Sequence, residues 1–339
     1  MKERLLYVDT LKAFGIILVV MGHVFHDSDS IVSHFIYAFH MPLFFLLSGE
    51  FFDYDKKIAL PSLLKKRWKS MLKPYLFFYI ITFLYWVIIE RNMRASAGGV
   101  DAEWFMPLLG LLWQSMDWNM FAHNNPLWFV PCLMSVTAIA WCVSYLDRIF
   151  RYIAVVFSLV MYCLLCHSNV HLPWELNIAL LAFGFFYCGK LVKNVYGGGE
   201  KILVTLVLVD LFLFSLITAN THYLSMIGLS MYDIPIYYLR AMVTICIFII
   251  VAKWLEQYVR RSKKIIKAIE YIGANTLVIL CVHDPVKRVI LFIVSKCGGV
   301  SIDIIRGDIL WSIFITLIIM LAMLPVIFIY KRYVQPKLI

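Results

Sequence analysis

Asp9 to Asp27 reads DTLKAFGIILVVMGHVFHD, an apolar run interrupted by Lys12 near its start and by His23 deep inside it, with His26 close to its end. At 1.5 Å per residue such a run reaches roughly 28 Å as a helix, close to the ~30 Å of a bilayer's hydrocarbon core. Nine further stretches follow the same pattern, at 34–52, 74–89, 126–145, 152–167, 174–192, 202–219, 235–253, 271–294 and 309–330. The fold expected is therefore all-α, an integral membrane protein of about ten transmembrane helices. The whole chain of 339 residues is 62% apolar and 15% charged, too greasy for a soluble domain of this length. The longest connection, Glu90 to Asn125, carries Gly98, Gly99 and Pro107 and reads as an ordered loop. A single polytopic membrane domain over 1–339 is expected, with no appended soluble domain. The first span lacks a separate short apolar region ending in a small-residue cleavage site, so it reads as a retained helix and not a signal peptide.

Charge orients the spans. With the N-terminus in the cytosol, 23 of the 31 Lys and Arg fall on that side, and only Arg91, Arg94, Lys296 and Arg306 on the other. An even number of spans then puts both termini in the cytosol, as the positive-inside rule requires. The net charge of +10 follows from these loops, so the lipid bilayer is the partner it implies and nucleic acid is not. Six of the eight cysteines (Cys132, Cys142, Cys163, Cys166, Cys188 and Cys246) lie in apolar spans, with Cys281 a seventh. The Cys163-x-x-Cys166 pair has no second pair to complete a metal site, and none is assigned.

Ionisable residues in hydrocarbon cost on the order of 2.5–3.5 kcal/mol each and ask for a reason. His23, His40, Arg240 and His283 all lie at roughly 18–20 Å from the cytosolic ends of their spans and are expected to form one polar layer. Each can also be read as a separate hydrogen-bonding contact between helices. Lys12 precedes His23 by eleven residues, which returns to within about 20° of the same helix face at a separation of roughly 16 Å. That is close to the reach of an extended phosphopantetheine arm. Asp9, three residues before Lys12, shares the face and is placed to orient it. Lys12 also reads as a lysine snorkelling to the interface. The loop after the second span, with Lys65, Lys66, Arg67, Lys69 and Lys73, is the most basic of the chain. It is suited to anionic headgroups and to phosphates alike. Trp104, Trp113, Trp118 and Trp128 gather near the outer face, as sugar-stacking platforms or as an interfacial aromatic belt. His123 precedes Asn124-Asn125-Pro126, where it either hydrogen-bonds a substrate or caps the following helix.

Arg4, Asp9, Lys12, Gly15 and His23 resemble the opening signature of the acyltransferase type-three family, a basic residue and a histidine separated by ten positions. FHMPLFFLLSG (Phe39 to Gly49) and KKRWKSMLKPY (Lys65 to Tyr75) are similar to later blocks of its sugar O-acetylase branch. So are PLWFVPCL (Pro126 to Leu133) and GANTLVILCVH (Gly273 to His283). Glu50 after Ser48-Gly49, and Asp284-Pro285 after His283, depart from the pattern. The resemblance implies transfer of an acyl group, most often acetyl, from cytosolic acetyl-CoA or another acyl-CoA to a hydroxyl of a surface glycan or lipid-linked sugar, at a cell membrane. On that reading His23 is the catalytic residue, as general base or as nucleophile through an acyl-imidazole. Arg240 or His40 stabilises the oxyanion, and His283 is a second acid/base group. Lys12, with Asp9 behind it, and Arg67, Lys69 and Lys73 hold the donor's phosphates, while His123, Trp118 and Trp128 face the acceptor. No metal is required. A glycan-precursor transporter or flippase is the alternative, for which no inverted repeat is visible.

Overall fold

The computed structural model describes residues 5–26, 29–92, 102–113, 118–195, 209 and 223–338. Every regular element among them is helical. Seven of the described helices are long and apolar enough to cross a membrane, which makes this a multi-pass membrane protein. The helices fall into two compact units, each assembled from separated stretches of chain.

The first unit comprises residues 1–52, 185–276 and 301–316. Its centre is α1 (Leu6–Val24) against α2 (Ile31–Glu50), begun by Ser30, whose hydroxyl accepts from the Val32 amide. Their register is antiparallel, because a Cβ at Gly15 would meet Leu43 and Phe44, and one at Gly22 would meet Ile36 and Tyr37. Tyr37 donates to the Gly22 carbonyl at 2.9 Å. A later helix, α8 (Ile234–Val259), packs on both through Phe248, whose ring stacks on Phe39 at 5.2 Å and lies 4.6 Å from Phe14. The basic, amphipathic α9 (Lys263–Ala274) lies on α1 and ends against it, since a Cβ at Gly273 would stand 2.5 Å from the Asp9 carbonyl oxygen. The tightest crossing joins α2 to α7 (Leu176–Val195). A Cβ at Gly49 would be 1.7 Å from the Phe186 oxygen, and one at Gly189 would be 2.2 Å from that of Leu46. Small residues let two backbones touch where lipid supplies no hydrophobic drive between helices.

The second unit comprises residues 53–184, 277–300 and 317–339. Its long helix α3 (Leu60–Glu90) is wound with π turns at Trp68–Leu72 and Trp86–Glu90. The sequence places a loop before Pro74, whereas the basic motif is already helical here. A short helix, α4 (Met106–Trp113), and a turn at Trp118–Phe121 lie within the expected loop. They lead through Asn125–Trp128 into α5 (Phe129–Ser144). The next helix, α6 (Arg148–His167), exposes Ile149, Ile153, Val156, Val160 and Leu164 along one stripe, the face expected toward lipid. The expected span over 271–294 is two helices, broken where Asn275 caps the Tyr271 carbonyl, with α10 (Thr276–Gly298) beginning beyond it. α7 and α10 add two long helices to the seven, and α10 falls outside the apolar set because Asp284, Lys287 and Arg288 interrupt it. The short α11 (Ile302–Gly307) leads into α12 (Ile309–Leu338). The expected span at 202–219 lies outside the described residues.

Gly49→Ala should lower the thermal unfolding midpoint far more than Gly15→Ala, whose neighbours at 3.1–3.2 Å are movable side-chain ends. Overpacking of this kind costs about 1–3 kcal/mol. Unfolding scans of the detergent-purified variants compare the two directly.

Candidate active site

In the first unit, His23 occupies the last turn of α1, about 25 Å from the start of that helix. Arg306 caps this end, its Nε donating to the Val24 carbonyl at 3.2 Å, while its own carbonyl accepts from the His26 amide. A cation there is favourable for the helix dipole. Arg240 is buried on α8. Counting from the Phe14–Phe248 contact, His23 is nine residues along α1 and Arg240 eight residues along α8, so both come to one level within a turn. His40 does not join it. On the α1–α2 register it lies opposite Leu18 and Val19, about 7 Å nearer the start of α1. The expected layer is staggered because α1 begins three residues, and α2 ends two residues, before the boundaries the sequence implied. The Nδ1–H of His40 donates to the Ile36 carbonyl at 2.6 Å, which leaves Nε2 as the acceptor nitrogen.

At the other end of α1, Asp9 is buried and Lys12 half-buried, its ammonium 5.7 Å from the Phe51 ring centroid. Two unexpected side chains, Lys253 and Glu50, lie near the same end of α1. Lys253 of α8 lies 4.8 Å over the Tyr7 ring, and the Tyr7 hydroxyl donates to Glu50, the residue that departed from the family pattern. The first unit thus presents two half-buried ammonium groups among aromatic rings near the start of α1.

The second unit holds the remaining candidates. Arg67 is half-buried before the first π turn and contacts the Met71 sulfur, Lys69 is exposed, and the Lys73 ammonium donates to the Leu338 carbonyl at 2.8 Å. Trp128 is buried beneath the surface, and the side chain of Trp118 lies outside the described residues. Trp104 and Trp113 are both exposed, as an interfacial belt and a sugar-stacking platform alike require. His283 is fully buried, and its Nδ1–H points at the Ile279 and Leu280 carbonyls at 2.9 and 3.0 Å, again leaving Nε2 as acceptor.

Around His283 stands a charge network that sequence reasoning missed. Arg288 bridges two buried carboxylates, Asp284 one turn before it and Glu90 at 2.6 Å from the second π turn of α3. Lys287 adds an ion pair to Asp284 at 2.5 Å. Arg288 also donates to the His123 carbonyl at 2.5 Å. His123 does not cap α5; its ring is packed between Tyr79 at 4.4 Å and Phe83 at 6.2 Å. Burial, then the positive field of Arg288, holds its imidazole down to about 3, so it is neutral at physiological pH. The i, i+3, i+4 spacing of Asp284, Lys287 and Arg288 was the available signal, since it puts all three on one face of a helix.

The model of an acyltransferase domain, that of the acyltransferase type-three family, matches residues 5–332. The chain belongs to the acyltransferase type-three family, and the family's chemistry implies an acyl donor. No match is found among curated proteins or among solved structures.

Removing one member of a buried ion pair strands the other and costs about 3–5 kcal/mol. Arg288→Met should therefore destabilise the protein strongly, and adding Glu90→Leu should recover part of the loss. Thermal unfolding of the single and double variants measures both.

Proposed function

We propose that the chain moves a short acyl group, acetyl foremost, from acyl-CoA to a hydroxyl on a surface glycan or lipid-linked sugar. The membrane is the cell membrane, both termini are cytosolic, the donor arrives from the cytosol and the acceptor from outside. Family membership supports the transfer. The observation that carries the donor side is the pairing of Lys12 and His23 near opposite ends of α1, roughly 16 Å apart on one face. Lys12, joined by Lys253, holds the nucleotide phosphates as point charges, and Asp9 orients Lys12. The pantetheine arm lies along α1, bringing the thioester to His23.

The imidazole of His23 either takes the proton of the acceptor hydroxyl as it attacks the thioester carbonyl, or attacks first and carries the acyl group itself. In both cases the carbonyl oxygen becomes an oxyanion, and Arg240, level with His23 on α8, stabilises it. The thiolate of CoA leaves and is protonated. His40, one turn away with its Nε2 free to accept, is placed to receive or return that proton.

His23→Ala should cut transfer from labelled acetyl-CoA to extracted lipid-linked sugar by about 10²–10⁴-fold, the contribution of one acid/base group. The unfolding midpoint should stay within a few degrees of wild type. Transfer retained by a folded His23→Ala protein removes His23 from the mechanism.

A further inference from the structure

His123 and Asn124 are adjacent in the turn that leads into α5, and neither has any exposed surface. Their anchored sides are fully engaged. The His123 ring is wedged against Tyr79 and Phe83, its carbonyl accepts from Arg288, and the Asn124 amide donates to the Cys281 carbonyl at 2.6 Å. That carbonyl is available because Pro285, four residues on, has no N–H to offer it. The Tyr79 hydroxyl is taken as well, by the Pro107 carbonyl. Three buried atoms remain, His123 Nδ1, His123 Nε2 and Asn124 Oδ1, and they have no hydrogen-bond partner among the described residues. Buried polar atoms are almost always bonded, so three orphans on two consecutive, immobilised side chains point to a ligand.

Their chemistry selects its class. A neutral imidazole offers one donor and one acceptor, and the amide oxygen offers a second acceptor. A carboxylate only accepts and would satisfy the N–H alone, and a phosphate, whose remaining O–H could donate, would bring net charge into a fully buried site. A cation would leave the imidazole N–H unsatisfied, since it offers that donor no lone pair. Hydroxyl groups both donate and accept. We infer that His123 and Asn124 form a fully enclosed site for a neutral ligand with two neighbouring hydroxyls, held in place through Arg288 and the freed Cys281 carbonyl. That these hydroxyls belong to the acyl acceptor rests on the acyl-transfer reading; the site itself does not.

The full chain in lipid nanodiscs, labelled with ¹⁵N in its histidine rings, tests the site without relying on turnover. The His123 signals are assigned by their loss in His123→Phe, whose ring refills the same aromatic cage. If that variant does not fold, they are assigned by elimination using substitutions of the other eight of the nine histidines. Methyl β-D-glucopyranoside is the probe and inorganic phosphate the control. Glucoside should shift both His123 ring nitrogens and phosphate should not. In transfer assays His123→Phe should raise the apparent KM for a sugar acceptor by about five- to a hundredfold, the effect of losing two hydrogen bonds, while the KM for acyl-CoA stays unchanged. A response to phosphate alone overturns the ligand class, and no response to either overturns the site. A glucoside shift in a wild-type protein that transfers no acyl group would leave the site standing and discard the acyl-transfer reading.

Discussion

Arg288 cannot stay charged inside an apolar helix layer unless carboxylates meet it, and the second unit is arranged around that requirement. One carboxylate comes from its own helix, one turn earlier at Asp284. The other comes from Glu90, at the far end of a helix whose last described turn is widened to a π turn. Such a turn adds a residue to the cycle and re-aims the side chains that follow. With both carboxylates satisfied and Lys287 balancing the count, the guanidinium has a donor left for the His123 carbonyl. One ion-pair network therefore fixes α10, the end of α3 and the turn before α5 together.

Pro285 completes this arrangement by subtraction. Its missing N–H frees the Cys281 carbonyl, Asn124 fills it, and the turn carrying His123 is tied to α10 at a second point. The first unit solves its own packing differently, with glycines where helices cross and aromatic rings where they slide. Gly49 and Gly189 let α2 and α7 touch through backbone atoms. Phe248 between Phe14 and Phe39 sets the register that brings Arg240 to the level of His23. Stacked rings keep their geometry better than flexible aliphatic chains, so the polar groups beyond them are held in place.

Much of this was legible in the sequence, and the parts that were not share a cause. Apolar runs located the helices, and the eleven-residue interval between Lys12 and His23 located one face, because both depend only on helix period. The polar layer of His23, His40, Arg240 and His283 was read too simply. Depth was counted from assumed span ends, and α1, α2 and α8 begin and end elsewhere. Glu50 and Asp284-Pro285 stood out as departures from a family pattern, yet what they do depends on Tyr7 and Asn124, distant in sequence. Lys253 is the last residue of the expected 235–253 span, and only the packing of α8 on α1 brings it over Tyr7. Pairings across helices, π turns and the consequence of a missing N–H are tertiary facts that periodicity does not carry.

Donor and acceptor on opposite sides of the bilayer are the central claim, and proteoliposomes holding the full chain in one verified orientation test it most directly. Labelled acetyl-CoA is supplied only on the face bearing the termini, with sugar acceptor either enclosed on the opposite side or mixed with the donor. Label on the enclosed acceptor, absent when the donor is moved to the other face, is the expected result. Label confined to acceptor sharing the donor's compartment would contradict transfer across the membrane.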